Sequence, residues 1–532
     1  MLDLAAEAWT PARRRRALLA VGLMALLAFF VLGQESASAV WEIASAKLVA
    51  MNNGGAAGTA TMADGELLGE LLAPGMDRGS CRSRYQLSRY YKHFPYAPSP
   101  HLLRKLRAYE ARHRRCAPGT PLYARSVEQL RSGRSADGVE CRYVVWLPFD
   151  GLGNRMLSMF SGFLYALLTG RVFLVAMPPD AADLFCEPFQ GATWLLPLEG
   201  FPVANLFRLG PRPEETYTHL LRKKKIVVDG HNNPASNATA AAPVPAYVYL
   251  SLGWQMTDRP FFCGEHQVAL GKVNWLLLYS DLYFAPSLHT IAGFQDELRR
   301  LFPARESTSH LLLRYLLHPG NPVWGLVTRY YHSYLAPAAR RIGMQIRMAA
   351  AGSDTVPADD KYNQILACSR QSAYCRKPTT TATGGNITTT SGEGGNNGSS
   401  TAILVASLYA DYYERLRSRY YEHAAKGGGG AWVGVFQPTH EQRQATEKLA
   451  HKRKALAEIY LLSFSEELLT SGLSTFGSVS SSLAGVRPTI LLTAFHHKVP
   501  APPCRRAAVD GEDLARHLKV CEDWQKGLKL FD

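Results

Sequence analysis

Apolar positions along the chain fall into short runs separated by glycine-rich turns and longer proline-free stretches. The clearest example is residues 142–175. Tyr143 to Leu147 is an apolar, β-favouring run, and Gly151-Leu-Gly-Asn-Arg155 follows as a turn that glycine makes at little conformational cost. Met156 to Thr169 has no proline and is apolar on most faces, which predicts a buried helix. Gly170 ends it, and Val172 to Val175 is the next strand. Further strands are predicted at Leu195–Pro202, Ile226–Asp229 and Leu276–Phe284, the last followed by a helix from Pro286 to Phe302. The pattern repeats in the second half. Strands are expected at Ile342–Ile346, Trp432–Phe436, Glu467–Thr470 and Thr489–Thr493. Helices are expected over Ala402–Ala425, from about Glu441 to Leu461 with Thr439 as a cap, and after residues 471–477 up to about Ala484. Strand and helix in alternation predict an α/β fold.

The ends and interruptions break this rhythm. Four arginines, Arg13 to Arg16, precede an uncharged apolar run from Ala17 to Gly33 that is just long enough to span a bilayer. The charge asymmetry leaves residues 1–16 in the cytosol and the rest in a lumen. A cleaved signal peptide is the rival reading, since Ala37-Ser-Ala39 looks like a cleavage site; the uncleaved anchor is the reading adopted. Residues 34–79 are small and polar and read as a flexible stem. Residues 80–138 are basic and tyrosine-rich and read as a helical surface packed on the core. Residues 377–401, rich in Thr, Gly, Asn and Ser, read as a disordered insertion. Sequons stand at Asn237, Asn386 and Asn397.

Composition narrows the function. The chain has 532 residues, 47% hydrophobic and 19% charged, enough for two or three domains. Its formal charge of +15 suits nucleic acid, an anionic membrane or an anionic substrate. No zinc finger, RNP motif or recognisable helix-turn-helix supports nucleic acid. The nine cysteines contain no Cys-x-x-Cys and fit disulfides in an oxidising lumen, with one thiol left over. Cys368 with Cys375, and Cys504 with Cys521, are candidate pairs; spacing does not fix them.

Candidate chemistry sits at strand ends. The turn containing Gly151, Gly153, Asn154 and Arg155 is neither Gly-x-Gly-x-x-Gly nor a P-loop. It is an anion site at a helix N-terminus or a tight turn with surface caps. Asp281, at the end of an apolar strand, caps the next helix or faces a cleft as a base. Arg347, at the end of the 342–346 strand, makes a surface ion pair or forks onto a diphosphate. His440 and Glu441 cap a helix or touch a nucleoside. Ser474, Thr475, Phe476 and Gly477 lie in a second strand–loop–helix unit that suits a pyrophosphate, with a plain Ser/Thr cap as the alternative.

The block GLGNRMLSMFSGFLYALLTGRVFLV resembles the signature of plant xyloglucan fucosyltransferases. So do CRSRY at Cys81, SDLYFAPSLHTIAGFQDELRRLFP at 280–303, His318-Pro319 with Trp324 to Arg329, and the Gly-x-Gln-Ile-Arg motif ending on Arg347. The resemblance covers about residues 80–525. It implies a Golgi type II membrane glycosyltransferase with two facing Rossmann-like lobes of the GT-B type: an acceptor lobe over 80–335 and a GDP-fucose lobe over 336–532. It implies metal-independent transfer of fucose from GDP-fucose, with inversion, to a galactose 2-hydroxyl on a cell-wall glycan. Arg347 and the 474–477 loop would then stabilise the leaving GDP, and Asp281 is the candidate base. No metal cofactor is expected, and no Asp-x-Asp occurs in the chain. A homodimer is admitted. The chain departs from the family near residue 310, over 230–260 and in the 377–401 insertion. The acceptor therefore stays open among xyloglucan, arabinogalactan, another glycan and protein, as does a non-catalytic glycan-binding role.

Overall fold

The computed structural model describes residues 65, 67–177, 182–204, 206, 214–228, 243–253, 258–347, 358–371, 400–422, 432–441, 448–472, 474–492 and 499–507. The expected tail, anchor and stem up to residue 64, nearly all of the 377–401 insertion, and Asn237, Asn386 and Asn397 lie outside them. Among the described residues no helix is long and apolar enough to cross a membrane.

After a short helical segment at Arg82–Gln86, two longer helices precede the first strand, α1 (Pro100–Cys116) and α2 (Pro121–Arg131). Each starts with proline at a position whose N–H needs no partner, behind a hydroxyl cap. Ser99 accepts from the Leu102 amide at 3.0 Å, and Thr120 accepts from the Tyr123 amide at 3.2 Å. The first sheet then forms from β1 (Tyr143–Leu147), β2 (Val172–Val175), β3 (Tyr247–Ser251) and β4 (Trp275–Tyr279), with α3 (Leu152–Thr169) between β1 and β2. All pairs are parallel and the order is β2-β1-β4-β3. Val144 and Trp146 of β1 face α3; Tyr143, Val145 and Leu147 pack the opposite layer with Trp275. Burial on both faces is why these strands read as unbroken apolar runs.

Helices α4 (Ala292–Leu301), α5 (Ser307–Leu316) and α6 (Asn321–Tyr330) lead to the second sheet. It contains β5 (Arg340–Gln345), β6 (Thr401–Ala406), β7 (Val433–Phe436), β8 (Glu467–Ser471), β9 (Thr489–Leu491) and β10 (Cys504–Arg506). Interleaved are α7 (Ala358–Gln371), α8 (Asp411–Glu422), α9 (Leu449–Ser463) and α10 (Thr475–Ala484). The order is β10-β9-β8-β5-β6-β7, parallel except for β10. In each sheet the winding reverses beside the first strand, between β1 and β4 and between β5 and β8. Such switch points open a crevice at the strand C-termini.

Helix α10 is held at its C-terminal end by α5. Arg314 is buried, and its Nε donates to the Leu483 carbonyl at 2.8 Å while its guanidinium lies 3.7 Å from the Tyr91 ring centre. His310 Nδ1 lies 2.9 Å from the Ser482 carbonyl. A cation at a helix C-terminus complements the helix dipole. Burial lowers the Arg314 pKa to about 10, which leaves it charged at neutral pH.

Several elements differ from the sequence reading. Residues 226–228 form no strand, and of 195–202 only Leu195 bridges to Val175. Strand β3 was not foreseen. The helix expected from Pro286 breaks at Thr290, whose hydroxyl turns back onto the Ser287 carbonyl at 2.7 Å, ahead of the β-branched Ile291. Residues 401–406 are a buried central strand, so Thr401 leaves the insertion and the helix begins only at Asp411; the small and β-branched run Ala402-Ile-Leu-Val-Ala fits between two neighbours. Helix α9 begins at Leu449 because Glu441 folds back to His451, with Nδ1 to carboxylate 3.2 Å. A continuous helix would separate those residues by about 15 Å. Thr439 therefore caps no helix and donates instead to Glu458. After β9 the chain returns antiparallel as β10. Cys368 pairs with Cys504 rather than Cys375, because β9 and β10 bring Cys504 under α7; Cys504 is thus not paired with Cys521. Cys81–Cys186 and Cys116–Cys141 also form.

The Cys116–Cys141 bridge ties the end of α1 to the strand β1 region across 25 residues. Its removal by the double alanine substitution is expected to cost about 3 kcal/mol, read as a lowered urea midpoint under oxidising conditions.

Candidate active site

The C-terminal ends of β1, β5, β6 and β7 and the N-termini of α3 and α10 surround one cleft of about 430 Å³. From the first sheet come Asp150 and the first turn of α3, Gly151 to Arg155. The helix begins at Leu152, so Gly153, Asn154 and Arg155 are already helical and Gly151 is the capping residue without a capping side chain. Asp150 takes a left-handed φ of +59°, a costly conformation for a non-glycine residue. Asn154 Nδ2 donates to its carboxylate and holds it there.

Gly153 is the point of closest approach. A Cβ on it would lie 2.8 Å from Thr475 Oγ1 and 2.9 Å from the Phe476 amide nitrogen. The two helix N-termini therefore meet backbone to backbone, and two sets of N–H groups border the same space. Ser474 caps α10 without a side-chain bond to it. Arg347 stands at the same edge, two residues past β5, with its own amide donating to Ser471 Oγ at 2.9 Å. Ser471 N also donates to Gln345 Oε1 at 3.3 Å, which locks the ends of β5 and β8 together.

The far side is built by α9 and the loop after β7. Gln437 Nε2 donates to the Ser407 carbonyl at 2.9 Å and the Thr439 carbonyl at 2.8 Å, pinning both loops. Glu441 accepts from Lys454 at 2.8 Å and from His451, and these bonds lower its pKa. Glu458 is buried. Desolvation pushes its carboxyl up to about 8, with the hydrogen bond to Thr439 opposing the rise and the Glu441 charge adding to it.

The cleft thus gathers Gly151, Gly153, Asn154, Arg155, Arg347, Glu441, Ser474, Thr475 and Phe476 from the sequence-derived set. Three residues of that set stand outside its lining. His440 is exposed, with its ring 5.5 Å from that of Tyr413. Gly477 serves packing: a Cβ there would come 2.7 Å from Thr470 Cβ, so it lets α10 lie on β8. Asp281 is buried two residues past β4. It does not cap the following helix, whose N-cap Phe284 has no side-chain bond.

A model of the family described as xyloglucan fucosyltransferase matches residues 37–512. The chain belongs to the xyloglucan fucosyltransferase family. It is 41% identical over 485 residues to a galactoside 2-alpha-L-fucosyltransferase of Arabidopsis thaliana, covering 87% of this chain and 83% of that one. It is 40% identical over 489 residues to the enzyme of the same name from Pisum sativum, covering 88% and 82%. Among solved structures, a mutant of Arabidopsis thaliana FUT1 in complex with GDP matches with a TM-score of 0.72 at 40% identity, over 88% of this chain and all 100% of that chain.

Within this family member, sequence reasoning missed Asp150, Tyr409, His451, Lys454 and Glu458. The run His451-Lys-Arg-Lys454 was legible as basic charge. Tyr409 fell in a stretch misread as helix. Nothing local marks Glu458, which sits mid-helix.

Two outcomes are expected. Gly153→Ala wedges the helix N-termini apart, costing about 1–3 kcal/mol, with nucleotide affinity in calorimetry falling more than stability. Glu458 carries a folded pKa above its ordinary 4.5. Its contribution to stability is therefore full below about 4.5 and is lost as pH rises to about 8. Glu458→Gln should flatten the fall of unfolding free energy across that window, read by urea titrations at several pH values.

Proposed function

We propose that the chain transfers L-fucose from GDP-fucose, with inversion, to the 2-hydroxyl of a galactose on a cell-wall glycan, xyloglucan being the type acceptor. The observation that carries this reading is the single cleft in which Arg347 and two helix N-termini converge. That arrangement suits a diphosphate leaving group: both helix dipoles and a guanidinium oppose the charge that grows on GDP as the sugar–phosphate bond breaks. The GDP-bound Arabidopsis structure, at 40% identity, supports the same nucleotide here. The residues 80–335 are assigned to the acceptor side and 336–532 to the GDP-fucose side of a GT-B-like pair of lobes.

As the fucosyl bond lengthens through an oxocarbenium-like state, the galactose hydroxyl attacks the opposite face and loses a proton. Two carboxylates serve this side, Asp281 and Asp150. Both act on Tyr279, whose phenol is pushed up to about 12 by burial first and then by these two charges. Asp150 is the one that borders the cleft and is assigned the proton; Asp281 is buried outside the cleft lining, within reach of the same Tyr279 phenol. Arg155, Arg347 and the helix termini supply the positive field, so the reaction is proposed to need no metal. The remaining assignments are a luminal Golgi location behind an anchor at residues 17–33, and N-glycans at Asn237, Asn386 and Asn397.

Arg347→Ala is expected to lower kcat roughly 10²–10³-fold while circular dichroism shows an intact fold. The assay offers GDP-fucose with galactosylated xyloglucan, arabinogalactan and a folded protein domain in parallel, with and without EDTA. Transfer to a glycan, unaffected by EDTA, is the expected result. Failure of the purified luminal part to bind GDP-fucose would sink the reading. Protease protection of Golgi vesicles and light scattering test the topology and the dimer.

A further inference from the structure

Beside the cleft, on the first-sheet side, two aromatic rings form a ledge. Tyr279 closes β4 and pairs in register with Leu147, the last residue of β1; Phe149 follows two residues later. The ring centres lie 4.4 Å apart at 38°. Phe149 is 37% exposed, so part of its ring is open to solvent. Tyr279 is half-buried and rests on the fully buried Tyr249, 5.9 Å away, which gives the ledge a rigid base. Phe149 is bonded directly to Asp150, which lines the cleft. The ledge is therefore continuous with the nucleotide site and lies at the reversal point of the first sheet.

Its chemistry differs from that of the cleft. The cleft lining mixes Arg155, Arg347, His451, Lys452 and Lys454 with Asp150, Glu441 and Glu458, whereas the charges that act on the Tyr279 phenol of the ledge are the carboxylates of Asp150 and Asp281. An anionic group such as a diphosphate would be repelled there. A neutral pyranose would not: its C–H face covers an aromatic ring, and its hydroxyls donate to carboxylates.

We propose that Phe149 and Tyr279 are the acceptor platform, with one pyranose ring of the acceptor glycan stacked on the Phe149 ring and its hydroxyls turned toward Asp150. This rests on the fucosyltransferase reading for the identity of the glycan, but not for the sugar chemistry of the ledge. It makes Phe149 a specificity-determining residue for the acceptor that leaves the donor untouched.

The test uses the purified luminal part with GDP present. Binding of a galactosylated xyloglucan oligosaccharide is read by saturation-transfer NMR and calorimetry for the wild type, Phe149→Ala and Phe149→Tyr. GDP-fucose affinity is measured separately for each. Phe149→Ala should weaken oligosaccharide binding, and raise the acceptor KM, about tenfold or more. GDP-fucose affinity and donor KM should stay unchanged, and Phe149→Tyr should restore acceptor binding. An unchanged acceptor KM in Phe149→Ala, or a donor KM that rises with it, would overturn the proposal, as would a wild type that binds GDP but not the oligosaccharide. A wild type that fails to bind GDP-fucose sinks the donor reading alone; the ledge is then judged by the oligosaccharide titrations.

Discussion

The contact between Gly153 and Thr475 governs the arrangement of the molecule. One helix start from each half of the chain must reach the same few cubic ångströms, and the backbone distances there leave no room for a methyl group. Everything else in the site is placed relative to that contact. Arg347 is hung from Ser471, on the strand that feeds α10. Asp150 is twisted out of ordinary backbone space to hand the chain from β1 into α3. The loops after β6 and β7 are tied together by Gln437 so that they face the same opening.

The charges are divided in the same way. Arg155, Arg347 and the helix termini border the space where a diphosphate would lie, Glu441 is paired with Lys454 and His451 on the far wall, and Asp150 and Asp281 flank the aromatic ledge. Glu458 lies in the far wall of the cleft itself, as a buried acid whose environment favours its neutral form near neutral pH. A net charge of +15 says little about this division, because among the described residues only Arg155, Arg347, Lys452 and Lys454 of the 59 lysines and arginines line the cleft.

Much of this geometry was legible in the sequence wherever the signal was local. The unit from Tyr143 to Val175 announces itself by an apolar run, a glycine turn and a proline-free helix, and the structure follows it closely. Arg347 was legible because a strand end places the next residues at the crevice. The reading failed where partners are distant or context misleads. Strand β6 hides between a low-complexity stretch and a Tyr- and Arg-rich one, and only its neighbours β5 and β7 make it a strand. Cys368 and Cys504 are 136 residues apart, beyond any inference from spacing. Asp281 looked like the cleft carboxylate because it follows an apolar run, yet β4 ends at Tyr279 and the chain then turns inward. Its place at the opening is taken by Asp150, whose backbone twist no sequence pattern reveals.

Helix α10 is fastened at both ends, by Arg314 and His310 at its tail and by the Gly153 contact at its head. Gripped in this way, the helix has its dipole aimed at the leaving group before any substrate arrives, which is the preorganisation that electrostatic catalysis needs.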